Sequence, residues 1–248
     1  MPNVIIITGA SRGIGAATAL QAAQQGYAVC VNYVRNQDAA NRLVAKINDM
    51  GGKAISVQAD VAVEADILRL FETVDNELGP LTALVNNAGI LETQMRVEEM
   101  TAKRLNRIFT TNITGSFLCT REAIKRMSTK HGGSGGAIVN VSSAASRLGS
   151  AGEYVDYAAS KGAIDTMTTG LSVEVAAEGI RVNCVRPGFI YTDIHTDGGE
   201  PGRVDRVKEF VPMKRGGQPE EVAAAIMWLL SDDASYATGT FIDLAGGR

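Results

Sequence analysis

The 248-residue chain carries 27 Asp and Glu against 24 Lys and Arg, a formal net charge of −3, and 45% apolar residues. That balance excludes broad electrostatic attraction to nucleic acid or to an anionic membrane surface. The apolar fraction is enough for one substantial core, so residues 1–248 are expected to form a single domain. The three cysteines, Cys30, Cys119 and Cys184, lie scattered in apolar runs without ligand spacing. They read as buried core thiols in a reducing cytoplasm, not as disulfides or a metal site.

In chain order, Val4 to Thr8 is an apolar run without a basic flank, too short for a signal segment or a membrane span, and reads as a buried strand. It leads into Gly9-Ala10-Ser11-Arg12-Gly13-Ile14-Gly15, after which a helical pattern covers Gly13 to Gln25. A glycine turn in that position lets the backbone approach a pyrophosphate closely and points free N–H groups of a helix start at the anion. The spacing is Gly-x3-Gly-x-Gly and not the common G-x-G-x-x-G, so the strand–turn–helix context carries the dinucleotide reading. A second strand, Ala28 to Tyr33, ends close to Arg35, and no acidic residue occurs from Ala16 to Gln37. An NAD site places Asp or Glu about 20 residues past the glycines. Arg12 and Arg35 instead suit a 2′-phosphate, so NADP(H) is expected ahead of NAD.

Further strands are expected at Ala54 to Gln58, Ala83 to Val85, Ala137 to Val141, Arg181 to Val185 and Phe241 to Leu244. Helices are expected at Ala39 to Met50, Ala65 to Leu78, Glu98 to Met127, Tyr157 to Glu178 and Pro219 to Leu230. Strands that are apolar throughout are covered on both faces, and their alternation with helices implies right-handed crossovers. The fold class is therefore α/β, a Rossmann-type doubly wound, mainly parallel seven-stranded sheet with helices on both faces.

Tyr157 and Lys161 lie one helical turn apart and share a face. A free phenol has a pKa of about 10, and a nearby ammonium lowers it, which suits a proton donor and its tuner. Tyr154 is a competing candidate two turns from Lys161. Upstream, Val139-Asn140-Val141-Ser142-Ser143 ends a strand at the carboxyl edge, where parallel sheets bind ligands, and either hydroxyl could polarise a carbonyl or cap a helix. His131 and His195 stand apart from any ligand cluster and read as surface residues; neither a metal site nor a serine hydrolase is expected.

Together these motifs resemble the short-chain dehydrogenase/reductase family. The match runs from Val4 to Gly247 through Thr8-Gly9-x3-Gly13-x-Gly15, Asp60-Val61, Asn86-Asn87-Ala88-Gly89, Asn112, Ser143, Tyr157-x3-Lys161 and Pro187-Gly188-x3-Thr192. The resemblance implies that Tyr157 protonates the substrate oxygen as hydride reaches carbon. It implies that Lys161 lowers the tyrosine pKa and holds the nicotinamide ribose, that Ser143 polarises the carbonyl, and that Asn112 holds a relay water. The implied cofactor contacts are the turn residues Gly9, Ser11, Arg12, Gly13, Ile14 and Gly15, with Tyr33 and Arg35 at the second strand. Asp60 and Val61 would meet the adenine, Asn87, Ala88 and Gly89 would line the cleft, and Pro187, Gly188, Ile190 and Thr192 would engage the carboxamide end.

Residues 192–212 correspond to the family's substrate lid, and their glycines fit a hinge. Relatives of this kind include glucose 1-dehydrogenases, 3-oxoacyl-(acyl carrier protein) reductases and uncharacterised oxidoreductases; a non-catalytic dinucleotide-binding regulator is the alternative from another class. The stretches 134–136 and 174–179 lack the Lys or Arg that would dock an acidic carrier, which weighs against the acyl-carrier reading. A small carbonyl or alcohol is the expected substrate, with a homotetramer as the expected assembly.

Overall fold

The computed structural model describes residues 3–248. Its strands are β1 (Val4–Ile7), β2 (Ala28–Tyr33), β3 (Lys53–Gln58), β4 (Ala83–Asn86), β5 (Gly136–Val141), β6 (Ile180–Pro187) and β7 (Phe241–Leu244). They form one sheet in the order β3-β2-β1-β4-β5-β6-β7, and every neighbouring pair is parallel. Because side chains alternate along a strand, Ile5 and Ile7 of β1 enter one core while Val4 and Ile6 enter the other. That double burial is why β1 reads as an uninterrupted apolar run and why β2 and β4 are apolar but for Asn32 and Asn86. At the edge, β3 is only partly buried: Ala54 and Val57 are buried, while Lys53 and Gln58 at its ends are exposed, since a strand lies on one side of it alone.

The helices are α1 (Gly13–Gln24), α2 (Gln37–Asp49), α3 (Glu64–Glu77), α4 (Ala102–Phe109), α5 (Gly115–Met127), α6 (Ala145–Leu148), α7 (Val155–Glu174), α8 (Ile194–Asp197), α9 (Arg203–Val207) and α10 (Pro219–Leu230). One core packs residues of α1, α2 and α10 against the sheet, the other residues of α3 and α5 with the end of α7. Among the described residues no helix is long and apolar enough to cross a membrane.

Two expected helices divide. The stretch from Glu98 to Met127 begins as a single 3-10 turn at Val97–Glu99, and Thr101 then caps a fresh start by accepting the Arg104 N–H at 3.3 Å. Between α4 and α5 the backbone widens into a π turn at Thr110–Thr114, where β-branched threonines and Ile113 crowd an α turn. The helix expected to reach Glu178 ends at Glu174; a separate 3-10 turn, Ala176–Glu178, follows and closes on Gly179 at φ +78°. The short α6 had no sequence signal of its own.

One polar contact ties these pieces together. Arg104, at the start of α4, donates from Nε to Asp156 Oδ2 at 2.7 Å and from Nη1 to the Thr93 carbonyl at 2.6 Å. Asp156 Oδ1 accepts the N–H of Tyr157 at 2.9 Å. The side chains are 7% and 0% exposed. Removing one partner of such a pair strands a buried charge, whereas replacing both with apolar groups does not. Asp156→Ala is therefore expected to lose about 3–5 kcal/mol of stability, and Arg104→Met combined with Asp156→Leu to regain most of it. Urea unfolding followed by circular dichroism at fixed protein concentration checks both; a double variant no more stable than the single would contradict the account.

Candidate active site

Order in the sheet reverses between β1 and β4, and the loops that follow these two strands meet at its carboxyl edge. Thr8, Oγ1 accepting, takes the N–H groups of Asn87 and Ala88 at 3.0 and 2.9 Å. Asn87 Nδ2 returns bonds to the carbonyls of Thr8 and Gly9 at 2.8 and 3.1 Å. From β2, the buried Asn32 accepts the Gly9 N–H at 3.0 Å and donates to the Ala59 carbonyl at 2.9 Å. The turn Gly9–Gly15 is thus pinned on both sides. Gly9 and Gly13 have φ of +62° and +55°, and a Cβ on Gly15 would sit 2.8 Å from Ala10 Cα and 2.9 Å from the Gly9 carbonyl oxygen. No side chain caps α1, so the first-turn N–H groups remain available to an anion. These features fit a dinucleotide pyrophosphate.

The second loop leads to the groups with proton chemistry. Asn112 lies buried in the π turn; its Oδ1 accepts the Ile90 N–H at 2.8 Å, and its Nδ2 donates to the Ile90 carbonyl at 3.0 Å and to Ser160 Oγ at 3.1 Å. Its carboxamide therefore braces the loop after β4 against α7. A Cβ built on Gly89 would lie 3.5 Å from both Asn112 Oδ1 and Lys161 Nζ, so Gly89 sits where the two meet. Lys161 Nζ donates to the Val141 carbonyl at 2.7 Å and lies 5.6 Å from the centre of the Tyr157 ring.

The two serines part company here. Ser142 is buried and donates to the Lys161 carbonyl at 3.1 Å, while Ser143 Oγ accepts the Ala145 N–H at 3.1 Å and stands on the side of the Tyr157 phenol, where it favours the phenolate. Tyr154 is spoken for as well, donating from its hydroxyl to the Gly198 carbonyl at 3.2 Å. Burial pushes the Tyr157 phenol up to about 12, with the Ser143 hydroxyl pulling the other way. Burial also brings Lys161 down to about 8, opposed by Cys184 and Asp165. Desolvation thus outweighs the tuning of phenol by amine that the spacing alone suggests.

Other expected cofactor contacts fall around the same edge. Tyr33 is buried at the end of β2 and Arg35 exposed just beyond it; Val61 is buried, and Asp60 accepts the Ala62 N–H at 2.9 Å. Pro187 closes β6, Gly188 packs so closely that a Cβ would stand 2.8 Å from Ala245 Cα, and Ile190 is buried. A Cβ on Gly13 would come within 3.2 Å of Thr192 Cγ2, so Thr192 lies over the glycine turn. Ser11 and Ile14 are partly exposed in and after that turn. Arg12 points away from the β2 corner, toward Asp193 and Asp197.

His195 is not the surface residue expected: it is 9% exposed, its Nε2 is bonded to the Ile190 carbonyl at 3.1 Å, and burial lowers its pKa. Gly132-Gly133-Ser134-Gly135-Gly136 fits the Gly-x-Ser-x-Gly spacing of a hydrolase elbow, which sequence reasoning passed over. It enters β5 at the amino edge, the reverse of the strand–turn–helix such an elbow needs. Sequence reasoning assigned no role to Asn32, Asn86 or Asn140 themselves. Asn86 donates to Asn140 Oδ1, and Asn140 to Thr168 Oγ1, both at 2.9 Å, joining β4, β5 and α7. Lone amides within buried apolar strands were their signal, because buried polar groups need partners.

Comparison with known proteins places this geometry. Residues 9–248 match the sequence profile of the family described as enoyl-(acyl carrier protein) reductase. The chain is 67% identical over 245 residues to an uncharacterized oxidoreductase, YgfF, of Escherichia coli (strain K12), covering 99% of each chain. It is 40% identical to a 3-oxoacyl-[acyl-carrier-protein] reductase of Synechocystis, covering 99% of this chain and 96% of that one. It is 38% identical to glucose 1-dehydrogenase 2 of Bacillus subtilis, covering 98% and 93%. A short-chain dehydrogenase of Burkholderia cenocepacia, solved in complex with NADP, superposes with a TM-score of 0.90 at 28% identity, covering 99% of this chain and 97% of that one.

If the glycine turn holds the pyrophosphate, a methyl group at position 15 must push backbone aside. Gly15→Ala is expected to weaken NADPH binding about tenfold or more while leaving the far-ultraviolet circular dichroism unchanged. Titration by cofactor fluorescence checks this; unaltered affinity would place the dinucleotide elsewhere.

Proposed function

The chain belongs to the short-chain dehydrogenase/reductase family of oxidoreductases, and we propose that it is an NADP(H)-dependent enzyme interconverting a small, uncharged carbonyl compound and its alcohol, with Tyr157 as acid/base. One observation carries the reading: the Tyr157 phenol, the Ser143 hydroxyl and the Lys161 ammonium share one corner beside the glycine turn at the sheet's carboxyl edge. The dinucleotide, when bound on residues 9–15, supplies or accepts the hydride. Ser143 donates a hydrogen bond to the carbonyl oxygen and fixes its position. Tyr157 gives its proton to that oxygen as the carbon is reduced, and the phenolate left behind is stabilised by the Lys161 ammonium. Asn112 keeps the loop at Ile90 and the helix at Ser160 in register, so these groups stay aligned.

NADP(H) is favoured by the lack of any acid from Ala16 to Gln37 and by the exposed Arg35 just beyond β2. An uncharged substrate is favoured over an acidic carrier because the arginines of segment 192–212 are already paired: Arg203 with Glu153 and Glu200, and Arg206 with Glu200. That segment, resting on Leu91 and Thr93 through Gly198 and Gly199, acts as the substrate lid of a one-domain enzyme. The buried free thiols suit a reducing cytoplasm, and exposed Phe117 of α5 and Val173 of α7 support association of copies into a tetramer.

A panel of neutral ketones, sugars including D-glucose, and quinones, followed by NADPH absorbance in both directions, tests the reading. Tyr157→Phe is expected to lose at least about 10²-fold in turnover while keeping NADPH affinity within about twofold. Undiminished turnover would remove Tyr157 from the chemistry, and a wholly inactive wild type would favour a non-catalytic dinucleotide binder. The pH dependence follows from the two shifts. Below about 8 Lys161 is charged and the phenol holds its proton, so carbonyl reduction is sustained. As pH rises past about 8 the lysine loses its charge and reduction declines, while alcohol oxidation, which needs the proton removed, gains toward alkaline pH. Rate profiles in the two directions that move in parallel would contradict this assignment.

A further inference from the structure

Arg12 is the one cation of the glycine turn, and the lid occupies it. Its Nη2 hydrogen-bonds Asp197 Oδ2, and its Nη1 lies 3.8 Å from Asp193 Oδ2. The contact spans from the start of α1 to the start of the lid, beside the place where Thr192 rests over Gly13. Elsewhere the lid is held without Arg12: Gln94 donates to Glu200 at 2.7 Å, Tyr154 to the Gly198 carbonyl at 3.2 Å, and Arg203 pairs with Glu153 and Glu200. The Arg12 contact therefore stands apart from what seats the lid, and its partners are carboxylates placed within reach of a phosphate-binding turn.

We propose that Asp197, assisted by Asp193, sets the enzyme's choice between nucleotides by competing with the cofactor's 2′-phosphate for Arg12. This rests on the NADP(H) reading above. A guanidinium whose fork already faces a carboxylate cannot present the same N–H groups to a phosphate. A phosphate monoester carries about −1.5 to −2 charges at neutral pH, and it must take the cation from two anions. NADH has no 2′-phosphate and is indifferent to the contest. The acids thereby narrow the NADPH preference that Arg12 and Arg35 would otherwise give. The groups are half exposed (side chains 48%, 66% and 46% for Arg12, Asp193 and Asp197), so altering them leaves the core untouched.

The test needs no substrate. NADPH and NADH are titrated by fluorescence at low ionic strength into the full-length wild type, Asp197→Asn, Asp193→Asn with Asp197→Asn, Arg12→Met, and Arg12→Met with Asp197→Asn. Asp197→Asn is expected to tighten NADPH about three- to fivefold, the scale of an exposed ion pair, and to leave NADH within about twofold. The double aspartate variant should gain more. In the Arg12→Met background, Asp197→Asn should change neither cofactor, because the acid acts through the arginine. An unchanged NADPH affinity in Asp197→Asn, an equal gain for both cofactors, or the same gain without Arg12 would each overturn the proposal. If Arg12→Met collapses the NADPH preference while Asp197→Asn does nothing, the cofactor reading stands and the competition alone falls. If Arg12→Met leaves the preference intact, Arg12 is not a phosphate ligand and the proposal falls with that part of the cofactor reading.

Discussion

Everything at the carboxyl edge follows from the reversal of strand order between β1 and β4. Crossovers to either side of that point leave the sheet in opposite directions, so the loops after these strands cannot be covered by a helix and a crevice opens between them. Backbone there needs other partners, and three side chains provide them: Thr8 for the β4 loop, Asn87 for the end of β1, and Asn32 for Gly9. With both loops drawn so close, a Cβ on Gly9 would stand 3.0 Å from Ala88 Cα. The glycines thus serve two demands, the approach of one loop to another and the approach of backbone to an anion.

Behind the crevice, burial governs the ionisable groups. The same desolvation that raises the phenol of Tyr157 depresses the ammonium of Lys161, each moving toward its neutral form. Counterweights are at hand for the lysine. Asp165, one turn further along α7, is bonded to Arg186 at 3.0 Å, and Arg186 in turn stacks 4.0 Å over Phe241. The lysine also has a fixed acceptor, the Val141 carbonyl, which holds Nζ at the end of β5 instead of against the phenol oxygen. Spacing on a helix establishes a shared face; it is silent on which partner a long side chain takes.

The same distinction explains what was legible in the sequence. Continuous apolar runs and helical periods located all seven strands and the main helices, because two apolar cores bury both faces of the strands and one stripe of each helix. The glycine turn, Tyr157 and Lys161 were legible because each combines a residue type with a local spacing. The π turn at Asn112, the 3-10 turn after α7 and the short α6 were not, since backbone widening or tightening leaves no period to read. Long-range polar pairs were also hidden. Arg104 and Asp156 lie 52 residues apart, and nothing near either one announces the other. Arg12 looked like a partner for a phosphate on local grounds, and only the fold brings Asp193 and Asp197 to it.

The way polar contacts are distributed bears on how a substrate enters. The sheet is held by apolar cores whose disruption exposes large buried side chains such as Phe71, Ile138 and Ile164. The second half of the lid is anchored by buried Arg203, Val204, Val207 and Val211, whereas residues 193–200 are held chiefly by surface contacts, Gln94 to Glu200 and Arg206 to Glu200. Exposed pairs contribute little stability each, and water replaces their partners on opening. Gly198 and Gly199 lie against Leu91 and Thr93 with no side chain to bury, which keeps the apolar seat small at that end of the lid. Parting residues 193–200 from the mouth therefore costs less than disturbing the catalytic helix, which Asp156 and Arg104 anchor in a dry environment. The same family of interactions, charge against charge, thus fixes one wall of the cleft and leaves the other free to part, and burial alone decides which.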